Sequence, residues 1–259
     1  MTDYHCHILP GIDDGASTLD ESIQMARLLA GSGFDSVYCT PHLIKHQYDA
    51  SNTSVLRSMR ELQTALDRKG IALRLLAGRE YCMDNHFQEY LEDLLPLEGT
   101  RYLLIEIPSC SYQGMILETI TAIRRKGLIP MIAHPERCRL LDERQHHKIP
   151  KSLGFFSRNS IRGRMALEYS YQQIGLLDWL SGIECGFQGN VGSIMGMAGR
   201  SAQESAIKFR RQNIYTHYGT DAHTPEFLEK FVGKMRNHKY LYNSYRENIH
   251  NAELAPAAL

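Results

Sequence analysis

The sequence predicts an α/β fold whose mostly parallel sheet is closed or distorted into a barrel. Short apolar runs of strand length alternate with amphipathic runs of helical period about seven times along the chain. Nearly every strand-like run is followed at once by a histidine, an aspartate or a glutamate. No internal repeat or low-complexity linker marks a boundary. We therefore expect a single domain over residues 1–259.

The predicted elements follow from apolar periodicity and from the residues that start and stop helices. Thr18 and Glu21 have the spacing of a capping box, so the first helix is expected to begin there and to end at Gly31. Pro41 is expected to stop the second strand. Further strands are predicted at 34–40, 71–77, 102–107, 129–133, 185–189 and 214–219, and helices at 53–69, 86–95, 115–126, 174–180, 193–211 and 224–235.

Composition excludes several classes of protein. The formal net charge is zero, which argues against a general nucleic-acid-binding protein and against a membrane-surface protein. The six cysteines include no CxxC pair, a usage typical of reduced thiols in the cytosol. The sequence shows no secretory signal pattern and no apolar run of membrane-spanning length. We expect a cytoplasmic protein that binds no nucleic acid and inserts into no membrane.

The earliest functional signal is His5-Cys6-His7 in the first strand-like run. Strand alternation places His5 and His7 on one face, where both imidazoles can bind one metal ion. Asp13 and Asp14 follow in a turn flanked by proline and glycine, which can fold a carboxylate over that ion. A chance pair of histidines is the alternative, and the motif alone does not decide between the two.

Metal-binding residue types recur at the ends of the other predicted strands. Parallel strands of a barrel open on one face at their carboxyl ends. Charged groups buried there are costly unless they are paired or bind a metal. The set as a whole predicts a metal site formed by His5, His7, His42, Glu80, Glu106, His134, Asp221 and His223.

These residues lie in an ordered series of short motifs: His5-x-His7, DDG at 13–15, TPH at 40–42, an isolated Glu80, LIEIP at 104–108, HPER at 134–137 and TDAH at 220–223. The series resembles the PHP (polymerase and histidinol phosphatase) superfamily. More narrowly, it is similar to the bacterial capsular-polysaccharide-type protein tyrosine phosphatases, which are metal-dependent. The resemblance implies a distorted (β/α)7 barrel with two to three divalent ions at the carboxyl ends of its strands. Mixed nitrogen and oxygen ligands suit manganese, iron or zinc, and the resemblance favours manganese.

The resemblance also implies three groups of ligands. The first ion would be held by His5, His7, Glu80 and Asp221. The second would be held by a bridging Glu80 with Glu106 and His134. The third would be held by Asp14, His42 and His223. Asp13 competes with Asp14 for its role, because sequence does not show which of two adjacent acids turns inward.

Phosphomonoester hydrolysis follows from such a site. Two close cations make hydroxide available at neutral pH, and the hydroxide attacks phosphorus in line. Arg137, three residues after His134, has the planar guanidinium that suits phosphate. Its alternative role is a surface ion pair with Glu136. The leaving tyrosinate would be protonated by water or by a site histidine, so Arg137 and His42 are the candidate catalytic residues.

The resemblance implies a phosphotyrosine protein as substrate, in particular the autophosphorylated tyrosine kinase of capsular or exopolysaccharide export. A small-molecule phosphatase, such as a histidinol phosphatase, is the first alternative. A metal-dependent nuclease and a non-catalytic metal-binding scaffold are the others. The neutral charge argues against the nuclease, and the complete ligand set argues against the scaffold.

Two other patterns are interpreted as unrelated to the site. Cys138 and Arg144 have the spacing of cysteine-dependent tyrosine phosphatases, but the residues between them include no glycine and two acids. The histidines away from strand ends are expected to bind no metal: His46, His86, His146, His147, His217, His238 and His250. An insertion is expected around 140–182, and it is either an inert solvated segment or a basic flap that attracts an acidic phosphopeptide through Lys148, Lys151, Arg158, Arg162 and Arg164.

Overall fold

The computed structural model describes residues 1–142 and 175–237. The strands are β1 (Thr2–Cys6), β2 (Ser36–Cys39), β3 (His42–Leu43), β4 (Arg74–Ala77), β5 (Glu80–Cys82), β6 (Tyr102–Glu106), β7 (Ile129–Ala133), β8 (Gly186–Asn190) and β9 (His217–Gly219). The helices are α1 (Leu19–Gly31), α2 (Asn52–Arg68), α3 (Phe87–Tyr90), α4 (Gln113–Arg125), α5 (Arg139–Asp142), α6 (Leu176–Gly182), α7 (Val191–Ile194), α8 (Arg200–Arg211) and α9 (Pro225–Asn237). A 3₁₀ helix spans Pro135–Arg137.

These strands form a closed, distorted barrel in which every strand pair is parallel. The sheet orders are β1-β2-β4 and β3-β5-β6-β7-β8-β9. Because β3 continues β2 after residues 40–41, and β5 continues β4 after residues 78–79, the two sheets share two interrupted strands. The last strand returns to the first: Asp221 N donates to His5 O at 2.7 Å, and His7 N donates to Ala222 O at 2.9 Å. The predicted α/β barrel is therefore confirmed.

A β-bulge in β1 sets the direction of the first histidine. Asp3 pairs with Val37 and Cys6 pairs with Cys39, so β1 carries one more residue than β2 over this stretch. An extra residue of this kind bends the strand and re-aims a side chain. Tyr4 packs against Tyr38, while His5 reaches the neighbouring metal-binding residues described below.

The buried Asp3 side chain links the first strand of the barrel to the segment that follows the last strand. Its Oδ1 accepts from Thr220 N at 2.8 Å and from His5 N at 3.2 Å, and its Oδ2 accepts from the Thr220 hydroxyl at 2.6 Å. Burial raises the pKa of Asp3 to about 6, although these donors lower it. The carboxylate therefore holds β1 against the segment that follows β9.

The first helix begins as predicted. The Thr18 hydroxyl accepts from Glu21 N at 3.2 Å, and Glu21 Oε2 accepts from Ser17 N at 2.7 Å. Both bonds satisfy backbone donors that have no partner within the helix.

Two predicted helices are wrong in extent. The helix predicted at 86–95 is only α3, because Tyr81 and Asn52 bind the backbone that follows it: Leu95 N donates to the Tyr81 hydroxyl at 2.7 Å, and Asn52 Nδ2 donates to Asp93 O at 2.7 Å. The helix predicted at 193–211 is divided into α7 and α8. Gly196 (φ 76°) and Gly199 (φ 88°) lie between them in the left-handed region, which interrupts a right-handed helix.

Several predictions lie outside the described residues. These are the central part of the expected insertion with its basic residues, the Cys-x5-Arg partner Arg144, and four of the histidines expected to bind no metal, namely His146, His147, His238 and His250. At the edge of that region, α6 packs Leu177 and Trp179 into the core. Within the described residues, no helix is long and apolar enough to cross a membrane.

Gly15 provides a test of the turn that follows β1. A Cβ at this position would lie 2.1 Å from His7 O and 2.6 Å from His7 Cβ. Because the backbone carbonyl cannot move without disturbing β1, we expect Gly15→Ala to lower the free energy of unfolding by about 1 to 3 kcal/mol in urea titration. Gly31→Ala is the matched control, since its Cβ would meet nothing within 4 Å. Equal stability of the two variants would contradict the close approach.

Candidate metal centre

The ends of the barrel strands bring four ligand atoms around one point. His5 Nε2 lies 3.0 Å from His7 Nε2. Glu80 Oε2 lies 3.1 Å from His5 Nε2 and 3.3 Å from His7 Nε2, while Asp221 Oδ1 lies 3.4 Å from both nitrogens. Ligand atoms about 2.0 to 2.2 Å from one divalent cation lie about 3.0 to 3.6 Å from each other. The donor set therefore fits a divalent ion.

Glu80 also faces a second group of ligands. Its other oxygen, Oε1, lies 3.1 Å from His134 Nε2. Glu106 Oε1 lies 4.0 Å from the same His134 nitrogen. The two carboxylate oxygens of Glu80 thus point to two different groups, as expected of a bridging ligand.

The third group is more open to solvent. Asp14 Oδ1 lies 3.6 Å from His223 Nε2 and 3.8 Å from His42 Nε2. His42 Nδ1 is buried without a hydrogen-bond partner, although it lies 3.1 Å from Glu80 Oε2. His7, Asp14, His42 and His223 together offer ligand atoms within 4.8 Å of one another.

The adjacent acids Asp13 and Asp14 face different partners. Asp13 Oδ2 accepts from His7 Nδ1 at 2.6 Å and from His42 N at 2.8 Å, and its Oδ1 accepts from Gly15 N at 3.0 Å. These bonds lower the pKa of Asp13 to about 2 against the opposing effect of burial. Asp13 therefore orients His7 from behind, whereas Asp14 is the acid that faces His42 and His223.

Buried charges in the cluster depend on each other. Burial raises the pKa of Glu80 and of Asp221, but the neighbouring histidines lower both well below their usual values. Burial lowers the pKa of His134, but the hydrogen bond with Glu80 and the negative charges of Asp221 and Glu80 together outweigh it and raise the pKa to about 9. The pKa of His7 is also well above its usual value because its carboxylate partners outweigh burial.

Two ligand candidates have strained backbones. His134 has φ 29° and Asp221 has φ 53°, both in the left-handed region that favours glycine. Such residues persist only where the surrounding contacts determine the conformation, and they concentrate at functional sites. No residue pattern in the sequence predicts this strain.

Arg137 lies at the mouth of the centre. Its Nη1 is 2.7 Å from Asp221 Oδ2, and its side chain is 40% exposed. The ion pair with Glu136 considered from sequence is not the observed contact. Glu136 is buried instead, where its carboxylate accepts from Asn190 N at 3.1 Å and from the Tyr215 hydroxyl at 3.0 Å.

The described histidines outside these groups lie apart from the centre. His217 is buried edge-on against Tyr4 and Tyr102, and burial lowers its pKa to about 4. His46 is exposed and His86 is half-buried, and the two rings contact each other edge to face with centroids 5.5 Å apart. Burial raises the pKa of the Cys138 thiol, which disfavours the thiolate that a cysteine-dependent phosphatase needs.

Sequence reasoning missed the polar residues behind the ligands. Gln188, Asn190 and Arg79 are all buried. Arg79 Nη1 donates to Asn52 Oδ1 at 3.0 Å, and its Nη2 donates to His42 O at 3.2 Å. The sequence does contain one signal for two of these residues. Gln188 and Asn190 are alternate residues at the carboxyl end of a strand, and alternate residues share a face.

The chain is similar in sequence to several known proteins. The family model for capsular polysaccharide synthesis, CpsB/CapC, matches residues 1–155. The chain is 28% identical to the tyrosine-protein phosphatase YwqE of Bacillus subtilis over 225 residues, which span 86% of this chain and 77% of YwqE. It is 24% identical to the tyrosine-protein phosphatase CpsB of Streptococcus agalactiae over 147 residues, which span 56% of this chain and 60% of that protein.

A solved structure matches the fold over nearly the whole chain. It comes from the crystal structures of YwqE from Bacillus subtilis and CpsB from Streptococcus pneumoniae, described as metal-dependent tyrosine phosphatases. The TM-score is 0.72 at 26% identity, and the match covers 98% of this chain and 93% of the other.

The different partners of the two acids predict different metal contents. Asp14→Asn should remove about one bound Mn²⁺ per chain, because an amide is a weaker ligand than a carboxylate for a hard cation. Asp13→Asn should keep the number of ions, because an amide oxygen can still accept from His7. Metal analysis after dialysis against Mn²⁺ measures both. The reverse pattern would assign the ligand role to Asp13.

The raised histidine pKa values predict proton release on metal binding. Near neutral pH the metal-free protein holds protons on His7 and His134, and an ion needs those nitrogen lone pairs. Metal binding should release at least about one proton per chain. Fewer protons should be released as the pH rises past about 9, the folded-state pKa of His134. The observed enthalpy of Mn²⁺ binding should therefore differ between Hepes and Tris.

His134→Asn is the control for this measurement, since it should release fewer protons. Identical enthalpies in the two buffers near neutral pH would show that no proton is displaced.

Proposed function

Because the chain belongs to the CpsB/CapC family of capsular polysaccharide synthesis, we propose that it is a metal-dependent phosphomonoesterase that hydrolyses phosphotyrosine in proteins. One observation carries the proposal: the buried Glu80 carboxylate faces two histidine groups with its two oxygens, 3.1 Å from His5 Nε2 and 3.1 Å from His134 Nε2. The guanidinium of Arg137 is placed beside the same cluster through Asp221. Adjacent cation sites with a neighbouring guanidinium suit a phosphoryl group.

The ligands are assigned by their groups. His5, His7, Glu80 and Asp221 would hold one divalent ion, and Glu80, Glu106 and His134 a second. Asp14, His42 and His223 would hold a third. Divalent ions bound there supply Lewis-acid chemistry, neutralising phosphate charge and making hydroxide available at neutral pH. We favour two to three Mn²⁺ ions, with iron and zinc as alternatives.

The protein's own groups position the substrate. Arg137 is tied to Asp221 through Nη1, and its exposed part can donate to equatorial phosphate oxygens. His42 and His223 belong to the most exposed ligand group, where a leaving phenolate would meet a proton donor. Asp13 keeps the His7 ring in place during turnover, because its carboxylate holds His7 Nδ1.

The family assignment supports a bacterial tyrosine kinase of polysaccharide export as the partner, and a cytoplasmic location for this protein. The relatives named above are tyrosine-protein phosphatases, and a kinase of that kind supplies phosphotyrosine. A small-molecule substrate such as histidinol phosphate is the alternative.

Turnover of three substrates tests the proposal. The Mn²⁺-loaded protein should hydrolyse a phosphotyrosine peptide faster than histidinol phosphate, and a chelator should abolish the activity. A peptide with phosphothreonine in place of phosphotyrosine, and otherwise the same sequence, is the control for the leaving group and for specificity toward the phosphorylated residue. Preference for histidinol phosphate would replace the proposal with the alternative, and activity unaffected by chelator would exclude the mechanism.

Arg137 substitutions test the phosphate contact. Arg137→Ala should lower kcat/KM for phosphotyrosine peptide by about 100-fold or more, the effect of removing one donor to developing charge. Arg137→Lys should recover only part of the loss, because an ammonium cannot bind two oxygens in one plane. Arg125→Ala, at the opposite end of the barrel in α4, is the matched control. Full activity of Arg137→Ala would remove Arg137 from the mechanism.

A further inference from the structure

Strand β8 contributes no metal-ligand candidate, whereas within the described residues every other barrel strand carries one or is closely followed by one, if β2 with β3 and β4 with β5 are each taken as one interrupted strand. Its carboxyl end carries Gln188 and Asn190 instead, and both side chains are completely or almost completely buried. Buried amides are retained where their hydrogen bonds are satisfied. The partners of these two amides are therefore informative.

The two amides form a continuous chain of hydrogen bonds between two ligand candidates. His5 Nδ1 lies 2.7 Å from Gln188 Oε1. Gln188 Nε2 donates to Asn190 Oδ1 at 2.9 Å. Asn190 Nδ2 donates to Asp221 Oδ2 at 2.8 Å. The chain thus runs from His5 to Asp221 through β8.

Both ends of this chain have a fixed hydrogen-bonding role. Gln188 Oε1 also faces the backbone N–H of His134 at 3.4 Å, and a backbone N–H can only donate. At the other end, the Asp221 carboxylate can only accept. The orientations of both amides are therefore determined, and His5 Nδ1 has to donate.

We propose that Gln188 and Asn190 are positioning residues for the metal centre, Gln188 by fixing the tautomer of His5 and Asn190 by fixing the plane of the Asp221 carboxylate. With its proton on Nδ1, His5 presents an Nε2 lone pair to the other ligand atoms of its group. Asn190 and Arg137 share Asp221 Oδ2, so Oδ1 remains directed at His5 and His7. The inference rests on the metal centre of the proposed function but not on its substrate.

Substitution of Gln188 separates this role from packing. Gln188→Met keeps the side-chain length but removes the acceptor, and the tightest-bound Mn²⁺ should be about 10- to 100-fold weaker by electron paramagnetic resonance titration of free Mn²⁺. Gln188→Glu keeps an acceptor for His5 but loses the donor to Asn190 Oδ1, so its Mn²⁺ affinity should fall less than that of Gln188→Met.

The matched control is Gln63→Met, which should leave Mn²⁺ affinity unchanged. Gln63 also accepts one backbone bond, from Leu75 N at 2.8 Å, but it is remote from the centre. Unchanged affinity in Gln188→Met would overturn the proposal, as would an equal loss in Gln188→Met and Gln188→Glu.

A spectroscopic measurement on the unsubstituted protein decides the tautomer even if a variant fails to fold. Long-range ¹H–¹⁵N spectra of the Zn²⁺-loaded protein, with His5→Gln to assign the signals, should show His5 protonated at Nδ1 and not at Nε2. A proton on Nε2 would overturn the proposal. If Mn²⁺ affinity responds to Gln188 but no phosphotyrosine peptide is hydrolysed, the proposed function fails alone.

Discussion

The buried carboxylate of Glu80 is the group on which the arrangement of the centre depends. It is inaccessible to solvent, and a carboxylate in that position is costly unless charged or hydrogen-bonding partners surround it. Four histidines at the ends of three barrel strands supply those partners, at 3.1 to 3.3 Å. The interruption between β4 and β5 has a reason in this requirement. The chain leaves the strand ladder at residues 78–79 and rejoins it at Glu80, while Arg79 turns away to hold Asn52 and the backbone of His42.

Sequence periodicity predicted the barrel and the ligand candidates because both follow from local rules. Strand alternation and the common face of parallel strand ends place His5, His42, Glu80 and His134 together without any knowledge of contacts. The features that were not predicted depend on distant residues. Helix α3 is short because Tyr81 and Asn52 bind the chain beyond it. Likewise, Asp13 and Asp14 are indistinguishable in sequence, and only the folded turn directs one to His7 and the other to His42 and His223.

In the proposed function, Asp221 would couple metal binding to substrate binding. Its Oδ1 faces the histidines of β1, and its Oδ2 faces Arg137 and Asn190. Its own backbone is held at φ 53° by the bond from its N–H to His5 O. A shift of this single carboxylate would therefore move a ligand and the guanidinium together. The strained backbone of Asp221 thus lies between the proposed metal-binding and substrate-binding groups, and the closure of the barrel maintains this strain.

The aromatic residues at the amino end of the barrel determine from which end of the barrel the centre can be reached. Tyr4 stacks on Tyr38 with ring centroids 5.2 Å apart. His217 contacts both Tyr4 and Tyr102, so its ring reaches across the interior to a strand that is not its neighbour. Because these neutral rings fill the amino end, bound ions would be reached from the carboxyl end in the described part of the barrel. Substrate, product and exchanging metal would then enter and leave through the same opening. A phosphate bound at Arg137 would therefore slow the dissociation of ions bound below it.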